Sequence, residues 1–129
     1  MIHLDTHVVV WLYEGRVDRF PPGVRGLLGA TRPLISPMVR VELALLHEIG
    51  KVLVPPAVVL DALSVDADLG RASSDFERVS AVAATLSWTR DPFDRLIAAH
   101  AMADDLPLIT KDRTLLAHCP VARWDAPSG

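Results

Sequence analysis

Ile2-His3-Leu4-Asp5-Thr6 reads as a short strand, Met1–Leu4, that runs directly into an acid, and a helical pattern from about His7 to Glu14 follows. Leu108-Ile109-Thr110-Lys111-Asp112 repeats the arrangement far along the chain, as a strand over Pro107–Thr110 and a short helix from Asp112 to Ala117. Between them, short apolar runs alternate with longer helical patterns. Pro21, Pro22, Gly23 and Gly26 break or start a weak helix. Leu34–Ile35 reads as a strand, and Ser36-Pro37 as an N-cap with proline in the first helical position. The helix from Met38 to Ile49 stops at Gly50, where a left-handed cap is expected. Val52–Val54 reads as an extended piece ended by Pro55-Pro56, and helical patterns cover Ala57–Leu63 and Asp75–Leu86. Asp91-Pro92 opens a helix to about Ala103, and Val121–Trp124 reads as an edge-like strand. Strands alternating with helices predict an α/β fold with a parallel sheet. All strands of such a sheet end on one edge, where ligand sites form, so the spacing permits Asp5 and Asp112 to converge there.

The length of 129 residues predicts a single domain over 1–129, with no internal repeat, linker or low-complexity tract. Half of the chain is hydrophobic and the mean hydropathy is +0.29, ample for a buried core and too apolar for a disordered chain. Asp plus Glu number 16 against 13 Lys plus Arg, a net charge of −3 that argues against a basic coat gripping nucleic acid by charge alone. It leaves open nucleic acid held through a metal. The single Cys119 excludes an internal disulfide framework and a Cys-rich zinc module. No targeting segment or membrane-length apolar run is visible, so a soluble, cytoplasmic protein without membrane association is expected.

The positions of certain carboxylates carry the chemistry. Glu42 sits among Met38, Val39, Val41, Leu43, Leu45, Leu46 and Ile49. A carboxylate there is costly to bury unless a cation compensates it; the alternative is an exposed stripe shared with Arg40. In Arg90-Asp91-Pro92-Phe93-Asp94-Arg95, Asp91 fits an N-cap and Asp94 the first helical turn, where an acid meets the positive helix end. An oxygen-only acidic cluster suits Mg²⁺ or Mn²⁺, which bind substrate phosphates and activate water for in-line attack. Metal-assisted phosphoryl hydrolysis is therefore the leading chemistry. Without metal the acids repel one another, and raised carboxylate pKa values are expected.

Leu4-Asp5-Thr6, the block Ser36-Pro37-Met38-Val39-Arg40-Val41-Glu42-Leu43, Asp91-Pro92-Phe93-Asp94-Arg95-Leu96-Ile97-Ala98-Ala99-His100-Ala101 and Leu108-Ile109-Thr110-Lys111-Asp112 together resemble a PIN domain. Their order and the compact length are similar to the VapC toxins of bacterial type II toxin–antitoxin pairs. The resemblance spans nearly the whole chain, and the Asp-Pro-Phe-Asp-Arg block is its most specific part. It implies a three-layer α/β/α sandwich on a central parallel sheet of four or five strands. It also implies an endoribonuclease dependent on Mg²⁺, with Mn²⁺ able to substitute, neutralised by a small VapB-like antitoxin. A homodimer is suggested by the resemblance and by the apolar surplus. Asp5, Glu42 and Asp94 match the family's acidic triad and Asp112 its fourth acid. In this reading Asp5 and Asp94 touch metal directly, while Glu42 and Asp112 bind a second ion or act through water. Asp91 competes with Asp94 for the assignment, and Asp94 is preferred because it immediately precedes the apolar helix. Thr6 and Thr110 are candidates to orient a carboxylate or a substrate phosphate.

Arg95 and Arg113, each close after a candidate ligand, are candidate RNA contacts, with surface ion pairing the alternative. Lys51 and Lys111 are the only lysines. The histidines, including His3, His7 and His100, lack a paired zinc-ligand spacing. Trp11, Phe93 and Trp88 are expected in core or oligomer contacts rather than as base-stacking platforms. Single-stranded RNA loops are the reasonable substrate, since unstacked bases are readable. The competing readings are a receiver-like phosphoacceptor, which would need Val58-Val59-Leu60-Asp61 to be a strand end, and a non-catalytic protein-binding module. A haloacid-dehalogenase-like phosphatase would want an acid two residues after Asp5, where His7 stands.

Overall fold

The computed structural model describes residues 1–125. The expected domain extends to residue 129, and 126–129 lie outside the described residues. Five short parallel strands form one sheet: β1 (Ile2–Leu4), β2 (Pro33–Ile35), β3 (Gly70–Arg71), β4 (Leu108–Ile109) and β5 (Ala122–Arg123), in the order β3-β2-β1-β4-β5. The helices are α1 (Thr6–Tyr13), α2 (Pro22–Ala30), α3 (Pro37–Glu48), α4 (Pro56–Asp66), α5 (Phe76–Ala84), α6 (Pro92–Asp104) and α7 (Arg113–His118), with a 3₁₀ turn at Val17–Arg19. Successive strand side chains point to opposite faces, and Ile2, His3 and Leu4 are each no more than 2% exposed. Both faces of the sheet are therefore covered by helices, as in an α/β/α sandwich.

The chain moves outward from β1 through β2 to β3, then returns to the other side of β1 for β4 and β5. The direction of winding thus reverses between β1 and β4, and a crevice at the carboxyl ends of those strands is where such sheets place their sites. Leu4, Val8, Val39, Leu43, Ile97, Leu108, Ile109 and Leu115 are fully buried and tie the flanking helices to the sheet. Ser36 caps α3 by accepting from the Met38 N–H, Pro37 takes the first helical position, and Gly50 stands beyond the helix at φ +81°. Asp61 lies inside α4 rather than at a strand end, which removes the receiver arrangement.

One strand differs from expectation. Val52–Val54 is not part of the sheet, because the backbone of Val52 is engaged by the end of α3. Its N–H donates to the Leu46 carbonyl at 3.2 Å, and its carbonyl accepts from His47 Nδ1 at 2.9 Å. The fifth strand is instead Gly70–Arg71, paired beside β2 through Leu34↔Gly70 and Ile35↔Arg71. A Cβ at Gly70 would lie 2.9 Å from both Arg32 Cζ and Leu34 Cδ2, so the ends of those two side chains would have to shift.

Candidate active site

The strand ends place acids because each strand hands over to a helix, and a carboxylate satisfies the unpaired amides of the first turn. Asp5 caps α1: its Oδ1 accepts from the Thr6 N–H at 2.8 Å. Asp112 caps α7, its Oδ1 accepting from the Leu115 N–H at 2.9 Å. Asp91 caps α6, with Oδ1 accepting from the Phe93 and Asp94 amides at 2.8 and 3.4 Å. The positive ends of three helices thus converge on one edge and offset part of the anionic charge there.

Two threonines lock the acids in place. The hydroxyl of Thr110 donates to Asp5 Oδ2 at 2.7 Å and accepts from the Asp112 N–H at 3.0 Å, so one buried side chain connects acids from both ends of the sequence. Thr6 donates its hydroxyl to Glu42 Oε1, tying the middle of α3 to the start of α1. Asp94 stands apart: none of the described residues donates a hydrogen bond to its carboxylate.

These groups surround a cavity of about 380 Å³ lined by Asp5, Thr6, Glu42, Asp91, Asp94 and Asp112, together with His7, Val10, Trp11, Leu46, Lys51 and Val52. The acids placed by sequence at 5, 42, 91, 94 and 112 therefore share one chamber. Among the described residues, the sole ion pair to any of them is His7 Nδ1 at 3.5 Å from Asp5 Oδ2. The carboxylates ring the chamber rather than closing on a point, and no three described His, Cys, Asp or Glu groups are drawn into a ready ligand cluster. Burial, and then the charges of Asp91, Asp5, Asp112 and Glu42, push the Asp94 carboxyl up to about 7. Burial likewise raises Glu42; the Thr6 hydrogen bond opposes that, while Asp5 and Asp91 add to it. Burial lowers the His7 pKa against the pull of Asp5 and Asp112.

The remaining candidates sit elsewhere. Thr110 is fully buried behind Asp5 and has no access to the chamber. Arg95 donates Nε to the Thr89 carbonyl at 2.7 Å, bracing the loop before α6, and Arg113 is exposed on α7; neither lines the cavity. Three lining residues, His7, Trp11 and Lys51, were not among the expected site residues. The position of His7, two residues after Asp5 at a helix start, was the available signal for it. Trp11 follows one helical turn later on the same face, its ring 4.9 Å from that of His7.

The chain belongs to the PIN-domain family, which it matches over residues 2–119. Its fold is that of a chain in the VapBC2 complex from Rickettsia felis bound to a DNA fragment from its promoter: TM-score 0.70, 22% identity, covering 97% of this chain and 100% of that one. It is similarly shared with DNA-bound VapBC from Salmonella typhimurium (TM-score 0.61, 20% identity, 95% and 96% covered). A toxin–antitoxin complex from Klebsiella pneumoniae gives a TM-score of 0.60 at 17% identity, with 95% and 96% covered. No curated protein matches by sequence.

Proposed function

We propose that the protein is a metal-dependent endoribonuclease, the toxin of a VapBC-type pair, acting in the cytoplasm and neutralised by a small VapB-like antitoxin. The observation that carries the reading is the chamber of five carboxylates at the sheet's switch point, with no lysine or arginine pairing any of them among the described residues. Membership of the PIN-domain family and the shared fold with chains of toxin–antitoxin complexes support it. Among the described residues no helix is long and apolar enough to cross a membrane. The homodimer remains part of the proposal.

The donor set fits a hard divalent ion. All five acids offer oxygen, and the Asp94 carboxyl, raised to about 7 by burial and then by neighbouring anions, has no cation paired with it among the described residues. Asp5, Glu42, Asp94 and Asp112 would hold Mg²⁺ or Mn²⁺, with Asp94 the most available because its carboxylate accepts no hydrogen bond from the described residues. Asp91 spends one oxygen on its cap. The bound ion supplies charge to draw in a phosphodiester and lowers the pKa of water for attack on it.

The chain's own residues supply the rest. Thr6 and Thr110 hold Glu42 and Asp5 in fixed rotamers, so the acids do not reorganise as the substrate docks. Lys51, an exposed cation on the chamber lining beside the left-handed turn at Gly50, is available to an RNA phosphate in this reading. Single-stranded RNA suits the open chamber, since its backbone bends into a concave site more readily than a duplex.

The test is to map new RNA ends in cells expressing the wild type or Asp94→Ala. Discrete ends made only by the wild type, together with Mn²⁺-dependent cleavage by the purified protein, support the reading. Identical end maps and equal growth inhibition would refute the site. Growth inhibition without any new ends would point to a non-catalytic binding module.

A further inference from the structure

Two consecutive amides of the loop between β4 and α7 are captured by side chains, one from the loop itself and one from the start of α1. The Asp112 N–H is held by Thr110, which itself holds Asp5. The Lys111 N–H donates to His7 Nε2 at 3.0 Å. A backbone N–H can only donate, so Nε2 must carry the lone pair and the imidazole proton must sit on Nδ1. That nitrogen is 3.5 Å from Asp5 Oδ2, the oxygen that already accepts from Thr110. His7 therefore closes a ring joining Asp5, Thr110, Asp112 and Lys111. Its own ring packs edge-to-face against Trp11, with the ring centroids 4.9 Å apart.

We propose that His7, as its Nδ1–H tautomer, is a positioning residue that sets the loop carrying Asp112 against Asp5, and so fixes the separation of the two acids across the β1–β4 switch point. The proposal deepens the nuclease reading and rests on it for its catalytic consequence, though not for its geometry. Thr110 ties this loop to Asp5 at the Asp112 amide, and the His7 bond to the preceding amide adds a second tie to the same end of β1. A glutamine at position 7 places a carbonyl oxygen where Nε2 stands and accepts from the Lys111 amide. An asparagine is too short to reach it.

The test uses the ¹⁵N-labelled full chain without metal, then cleavage of a random-sequence single-stranded RNA pool in MnCl₂. The wild type should show His7 protonated on Nδ1, with the Lys111 amide slow to exchange. In His7→Asn the Lys111 amide should exchange at least ~10-fold faster, while the Thr110 amide, bonded to the Arg123 carbonyl in the sheet, keeps its protection as the control for folding. Loss of a group that orients a ligand typically costs about 10–100-fold. His7→Asn should lose turnover in that range, and His7→Gln should recover to within about 3-fold of wild type. An Nε2–H tautomer in the wild type, or unchanged Lys111 exchange in His7→Asn, would overturn the proposal. So would equal turnover in the Asn and Gln variants. A wild type that cleaves no RNA while the tautomer and exchange results hold would instead count against the nuclease reading and leave the positioning intact.

Discussion

Replacing Asp94 by asparagine should make the metal-free protein more stable while leaving it inactive. The carboxyl is displaced from the ordinary 3.8 to about 7, first by burial and then by four neighbouring acids. A displacement of roughly three pH units corresponds nominally to about 4 kcal/mol against the ionised form. Solvent screening at a half-buried group reduces this to on the order of 1–2 kcal/mol. The α6 dipole favours the anion in the first turn by about 0.3–1 kcal/mol, which asparagine gives up. The net gain is about 1 kcal/mol, or a rise of roughly 3–6 °C in melting temperature for a chain of this size. The sign follows from the direction of displacement. A carboxyl raised in the folded state contributes stability below its unfolded value of 3.8 and loses it as pH rises through about 7. The advantage of Asp94→Asn should therefore be full at pH 8 and shrink toward zero as pH falls to about 4. Differential scanning of both proteins in EDTA across that range measures it. A variant less stable than wild type at pH 8, or one whose advantage does not change with pH, would refute the electrostatic account of the chamber.

Other outcomes follow from the same geometry. Millimolar Mn²⁺ should raise the melting temperature of the wild type above its value in EDTA, with the increase lost in Asp94→Asn, since an ion that binds only the folded state stabilises it by mass action. Asp5→Ala or Asp94→Ala should abolish RNA cleavage and toxicity, with circular dichroism unchanged; full toxicity in either would undo the site assignment. Thr110→Val keeps the shape but strands Asp5 Oδ2 and the Asp112 amide, so urea denaturation should show a loss of about 1–3 kcal/mol. Gly70→Ala should cost about 1–2 kcal/mol by the same measurement, because its methyl meets Leu34 and Arg32 at 2.9 Å and both must shift.

The fold was legible where local chemistry and pattern agree. Ser36-Pro37, Asp91-Pro92 and Gly50 mark helix ends that any environment would reward, and Leu108–Ile109 announces a buried strand by composition. Gly70–Arg71 announces nothing. Its membership of the sheet depends on the pairing that Leu34 and Ile35 offer beside it, a fact about neighbours rather than about the segment. Val52–Val54 has the composition of a strand, but the amide and carbonyl of Val52 are taken by the end of α3.

The sequence by itself determined which residues are acids, which cap helices, and that strands and helices alternate. These depend on neighbours within a few positions, where propensity and capping act. Only the tertiary structure decided that Asp5, Glu42, Asp91, Asp94 and Asp112 share one chamber, that the Thr110 hydroxyl orients the Asp5 carboxylate, and that His7 joins α1 to a loop 104 positions further on. The physical reason is the reversal of winding between β1 and β4. It brings the ends of two strands from opposite parts of the chain side by side, and no local periodicity encodes that adjacency.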